Sequence, residues 1–134
     1  MDLRMGALVA VVDGANLKLF RNSGDAGSLK LTEQAAGNVS TNNKGSGGRH
    51  ASSSANPSDS QQDEDAFAAG VADILNSKVL GGSVDELVVI AAPRTLGELR
   101  KHYHKTLSAK LAGEVAKDLT GHSVAYVEKA ISAA

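Results

Sequence analysis

DELVVIAAPRTLGELRK, residues 85–101, is the stretch on which the fold turns. Residues 87–92 form an unbroken apolar run with three β-branched side chains. Such a run suits a strand covered on both faces, the usual condition of a central parallel strand. Pro93 ends the run, and Thr95-Leu96-Gly97-Glu98 has the spacing of a capping box, which predicts that a helix opens at Thr95. A buried strand feeding directly into a helix is half of a β-α-β crossover, so a parallel partner strand must lie elsewhere in the chain.

A second run of this kind lies upstream. Residues 7–12, ALVAVV, form a second continuous apolar run, closed by Asp13-Gly14-Ala15-Asn16. Leu17-Lys18-Leu19-Phe20-Arg21 then resumes with partial alternation, so the two segments read as a hairpin. A turn at residues 22–27 leads to Leu29-Lys30-Leu31-Thr32-Glu33, an alternating edge strand. Between the halves, residues 36–60 carry Gly, Ser and Asn in place of any pattern, and this predicts a long disordered loop. Helical periodicity returns with Phe67, Val71, Ile74 and Leu75 on one face. Ser60 is placed to cap that helix, the acids Asp63, Glu64 and Asp65 suit its first turn, and Gly81-Gly82 closes it. Residues 111–119, LAGEVAKDL, fit either helix or strand, and Ser123 caps a last helix with Val124, Val127 and Ile131 inward. The order βββαβαβα predicts a single α/β domain over residues 1–134, with a ribonuclease-H-like mixed five-stranded sheet.

Composition narrows the functions open to such a domain. The 134 residues are 42% hydrophobic but include only four Phe, Tyr or Trp side chains, Phe20, Phe67, Tyr103 and Tyr126, so the core is aliphatic. There is no cysteine, which excludes disulfides, thiolate metal sites and cysteine nucleophiles. No run approaches the ~20 apolar residues of a membrane-spanning helix, and the apolar run at 7–12 is too short for a secretory signal. A cytoplasmic protein without membrane insertion is expected. The net charge of −1 gives no global attraction to nucleic acid, so any such attraction is local.

Several of these pieces together carry a resemblance. RMGALVAVVDGANLKLF, GGRHA, DEDAFAAGVADIL, VVIAAPRTLGELRK and KDLTGHSVAYVEKAI follow one another in the order found in the bacterial host-attachment protein family. That family is similar to the middle domain of archaeo-eukaryotic peptide-chain release factors. The resemblance spans nearly the whole chain, and APRTLGELRK at 92–101 is its most specific part. It implies that residues 113–119 form the fifth strand. It also implies a role for the loop, because release factors carry a catalytic Gly-Gly-Gln tip between strand and helix. Here Gly47-Gly48 occupies the comparable place but Arg49 follows, where ester hydrolysis needs glutamine.

Five groups of residues are candidates for chemistry. Gly47, Gly48, Arg49 and His50 suit contact with RNA phosphate, since a glycine-rich loop moulds to a backbone and a guanidinium binds phosphate bidentately. Arg94 and Thr95 stand where a parallel strand feeds a helix N-terminus, a place that attracts anions; the bland alternative is a capped helix with Arg94 paired to an acid. Arg100 and Lys101 extend the only local basic patch, residues 94–105. His102 and His104, two apart, point away from each other on a helix and lack a third ligand, so no metal site is expected. Asp13 and Glu64 or Asp65 occupy two of the positions of a ribonuclease H acid set, but the strand at 87–92 offers no acid. No catalytic residue, metal or cofactor is therefore expected. The resulting expectation is a non-enzymatic release-factor-like module that binds RNA or the ribosome and affects host attachment indirectly. A protein partner through loop 36–60 is a further expectation. The alternatives are a direct attachment factor and a peptidyl-tRNA or ester hydrolase using the Gly-Gly loop.

Overall fold

A computed structural model of the chain describes residues 1–41 and 58–134. Its strands are β1 (Leu8–Val12), β2 (Leu17–Asn22), β3 (Leu31–Gln34), β4 (Leu87–Ala91) and β5 (Leu111–Val115). The helices among the described residues are α1 (Ser58–Leu80), α2 (Pro93–Arg100), α3 (Lys105–Lys110) and α4 (Val124–Ala133). One mixed sheet runs β3-β2-β1-β4-β5, antiparallel through the first three strands and parallel across β1, β4 and β5.

The two apolar runs lie side by side at the centre, with Val9 opposite Val88 and Val11 opposite Ile90. Their lack of alternation has a direct cause, because both faces are covered. Leu8, Ala10 and Val12 of β1 and Leu87, Val89 and Ala91 of β4 pack with α1, α2 and α3. Val9, Val11, Val88 and Ile90 face the other way, against Val127 and Ile131 of α4. Each large aliphatic side chain removed from water this way contributes about 1.5–3 kcal/mol before chain entropy is counted.

Helix α1 presents Ala68, Val71, Ala72, Leu75 and Val79 to the sheet. Its end is a Schellman motif: Ser83 N–H donates to the Lys78 carbonyl (3.1 Å) and Gly82 N–H to that of Val79 (3.1 Å). Gly82 has φ +84°, a conformation that favours glycine. One buried polar side chain pins the other end of the domain. Asn22 Nδ2 donates to the Leu3 carbonyl (2.9 Å) and the Arg4 carbonyl (3.2 Å), while its Oδ1 accepts from the N–H groups of Gly24 and Lys30 (3.0 Å each). The amino-terminal arm and the β2–β3 turn are thus held by one amide.

Four boundaries differ from the sequence expectations. Helix α1 begins at Ser58, so Ser60 lies inside it and is not its cap. Helix α2 begins at Pro93 with Ala92 as N-cap and no side-chain cap bond, so Thr95-Glu98 is not a capping box. Proline already has the helical φ and no N–H to satisfy at that position, so the helix starts without help from Thr95. The fifth strand is Leu111–Val115, earlier than 113–119, because α3 runs straight into it at Lys110. Leu119 resembled a strand residue since it is buried, yet it reaches the core from the turn beyond β5. Last, residues 36–41 belong to the packed structure: Ala36 and Val39 rest on the α1 side of the core. A side chain at Gly70 of α1 would collide with the Ser40 carbonyl oxygen and come within 2.7 Å of Val39 Cγ1, so this crossing requires glycine. A loop does separate β3 from α1, but with narrower bounds than 36–60, since residues 36–41 pack on the core and 58–60 are helical; residues 42–57 lie outside the described residues.

Candidate functional site

Strands β1, β4 and β5 end at the same rim of the sheet, the position where ligands of open α/β sheets gather. The β1–β2 turn is built by Asp13. Its Oδ1 accepts from Ala15 N–H (2.8 Å) and Asn16 N–H (2.6 Å), a side-chain-closed turn of the kind aspartate favours. Thr120, from the turn after β5, donates its hydroxyl to Asp13 Oδ2 (2.7 Å), with Asp118 Oδ1 2.9 Å away on its other side. Partial burial by itself would raise the Asp13 pKa, but the bonds from Ala15, Thr120 and Asn16 together outweigh it and hold the carboxyl below its ordinary value.

Glu64 of α1 reaches the same turn, with its side chain filling the space beside Gly14. Asp13, Asn16, Ser60, Glu64 and Asp118 consequently border an open groove of about 480 Å³. Among the described residues, no grouping of His, Asp and Glu has the arrangement to hold a metal ion. Asp13 serves the turn, and β4 contributes no acid to the rim.

The basic residues of 94–105 differ in their partners. Arg94, in the first turn of α2, is exposed and has no ion pair or hydrogen bond among the described residues. Thr95 beside it is half-buried. Arg100 instead grips Glu114 of β5 in a fork, with Nη2 at 2.6 Å and Nε at 3.0 Å from Oε1. Lys101 bonds Glu98 (3.0 Å), which also lies 3.3 Å from His102 Nε2. The Glu98 carboxyl is accordingly held below its ordinary value, first by the Lys101 hydrogen bond. A phosphate recruiting Arg100 or Lys101 must displace a carboxylate. Arg94 carries no such obstacle.

The two histidines are used in the scaffold. His104 is the N-cap of α3, its Nδ1 accepting from Thr106 N–H (3.1 Å). Asn76 of α1 bonds the His102 carbonyl (2.9 Å) and the His104 N–H (2.8 Å), so it ties the α2–α3 turn to α1. Tyr103, between them, lies over the core with its hydroxyl 3.5 Å from Glu114 Oε2. Burial first, then the Glu114 charge, pushes its pKa well above the ordinary phenol range.

Gly47, Gly48, Arg49 and His50 lie outside the described residues. The chain on either side is described: it passes Gly70 at residues 39–40 and rejoins the fold at the start of α1. Two features of the rim lie outside the sequence expectations. Asp13 and Thr120 are 107 positions apart, and nothing local announces their bond. The His122–Tyr126 pair, stacked at 4.3 Å between ring centroids, is four positions apart across the N-cap of α4, a spacing that a search for such pairs would find.

A mixed sheet in this strand order, with the glycine-rich segment entered from β3 and left into α1, defines a ribonuclease-H-like α/β domain. The family model of the bacterial archaeo-eukaryotic release factor family 12 matches residues 6–131, and the chain belongs to that family. That description concerns release factors and says nothing of host attachment. No curated protein matches the chain.

Proposed function

We propose that this protein is a non-enzymatic release-factor-like module that binds RNA or the ribosome through Arg94 and the Gly47-Gly48-Arg49-His50 segment. The observation that carries the reading is Arg94, an exposed guanidinium free of any carboxylate among the described residues, at the rim where α1 also begins. Family membership supports a ribosomal or RNA partner in general terms. Arg49 in the place of the release-factor glutamine supports binding without hydrolysis. Thr95 flanks the contact, while Arg100 and Lys101 contribute to the local field more than to direct contact. The protein acts in the cytoplasm, and any effect on host attachment runs through expression of other factors.

NMR titration of labelled protein with RNA fragments and with ribosomal subunits, at two salt concentrations, tests the reading. Shifts at Arg94 and Arg49 that weaken with salt are expected. Alanine substitution should make the log–log salt slope shallower by about 0.7 for each phosphate it leaves unneutralised. Absence of salt-sensitive shifts at both places refutes the binding reading. Peptidyl-tRNA hydrolysis by the wild-type protein that disappears in Gly48→Ala would replace it with the hydrolase. Recovery of the protein at the cell surface after fractionation would favour the direct attachment factor.

A further inference from the structure

The same rim carries an aromatic feature that the charge-based reading leaves unused. Tyr126 is one of four aromatic residues of the Phe, Tyr and Trp type in the chain, and it stands 47% exposed on the first turn of α4. His122 stacks on it at 4.3 Å with 19° between the rings, and is itself exposed. An aromatic ring left out of an aliphatic core, with an imidazole lying flat against it, gains little for stability where it is.

The backbone beneath the pair is fixed by hydrogen bonds. Ser123 Oγ accepts from Tyr126 N–H (3.2 Å), and His122 N–H donates to the Leu119 carbonyl (3.0 Å). Leu119 and Val127 on either side are buried, and Thr120 ties the turn to Asp13. The surroundings carry both signs: exposed Asp118 bonds Thr120 in the turn (2.9 Å), and two lysines lie nearby. Lys129 follows Tyr126 by three positions on the same helix, and Lys117 precedes the turn. Both lysines are exposed and form no ion pair among the described residues. Glu128, the nearby acid on α4, is turned away to accept from Leu31 N–H of β3 (2.8 Å).

We propose that His122 and Tyr126 form a stacking platform for an unpaired base of single-stranded RNA, with Lys117 and Lys129 beside it for the adjoining phosphates. The proposal rests on the RNA-binding reading above and specifies the form of RNA. A base in a duplex has both faces covered by its neighbours, whereas a splayed base offers its π-face to an aromatic side chain. Phosphate charge alone would call for exposed cations and give no use to a preorganised ring pair.

The test uses the full chain, which contains no tryptophan, so Tyr126→Trp installs a single reporter at the platform. Its fluorescence is followed with hexauridylate, hexaadenylate, a duplex RNA of the same length and an abasic phosphodiester oligomer. Quenching by the single strands and none by the abasic oligomer is expected. In parallel, anisotropy with labelled single strands should show Tyr126→Ala weakened about 5- to 150-fold with its salt slope retained. Tyr126→Phe, which keeps the ring, should stay within about threefold of wild type. RNA binding that depends on Arg94 and salt, yet is matched by Tyr126→Ala and leaves the Tyr126→Trp signal unquenched, overturns the platform alone. A wild-type protein that binds no RNA overturns the parent reading, and the platform with it.

Discussion

Gly70 and Gly97 both lie inside helices, yet replacing each with alanine should move stability in opposite directions. An exposed helical glycine costs about 1 kcal/mol relative to alanine, because the unfolded chain loses more freedom on ordering. At Gly97 of α2 nothing lies within 4 Å of an added Cβ, so Gly97→Ala should recover about 0.5–1 kcal/mol. At Gly70 of α1 the added methyl meets the Ser40 carbonyl and Val39 Cγ1. The obstacle includes backbone, which does not rotate out of the way. Overpacking of this kind costs about 1–3 kcal/mol. Moving residues 36–41 aside instead would expose Val39, which packs on the core. Less the propensity gain, Gly70→Ala should be destabilised by about 1–2 kcal/mol. Urea unfolding followed by far-UV circular dichroism measures both variants, with unchanged m-values expected. Gly70→Ala as stable as wild type would refute the claim that residues 36–41 are packed across α1.

Three other outcomes follow from the hydrogen bonds and electrostatics. Asn22→Ala strands the N–H groups of Gly24 and Lys30 and the Leu3 carbonyl, while the Arg4 carbonyl keeps Ala7 N–H, and should lose about 2–4 kcal/mol in the same urea assay; a loss below about 1 kcal/mol would mean water replaces the amide. Asp13 has a folded pKa below its unfolded one, so its contribution is present above the unfolded value and disappears as pH falls through the folded value. Stability measured from about pH 6 down to about 2 should therefore decline less in Asp13→Asn than in wild type. Tyr103 has the opposite sign, a raised pKa that favours the protonated form in the fold, so its contribution is lost as pH rises beyond the ordinary phenol range. In a Tyr126→Phe background, ultraviolet titration should find Tyr103 ionising late, and Glu114→Gln should bring it earlier without normalising it, since burial is the larger cause.

Much of the architecture was legible along the chain because it depends on near neighbours. The runs at 7–12 and 87–92 announced buried strands, Asp13-Gly14 a turn, Gly81-Gly82 a helix end and Ser123 a cap. Each of these rests on chemistry completed within a few residues. Local pattern and structure part where a long-range contact decides. Leu119 is apolar in a turn because the second face of the sheet needs it. Residues 36–41 look patternless because a distant glycine on α1, Gly70, gives them their place.

The candidate site divides the same way. Composition and local spacing were enough for an aliphatic, cysteine-free α/β domain, the basic residues around Arg94 and the Gly-Gly-Arg segment. Which of those charges are available was decided in three dimensions. Glu114 takes Arg100 and Glu98 takes Lys101, while Arg94 is left without an acid among the described residues. Folding also brought Thr120 to Asp13 and left Tyr126 outside the core. A residue's type is written in the chain, but whether its charge or ring is already spent depends on which strand end or helix lands beside it. That is set by the packing of distant segments on one sheet.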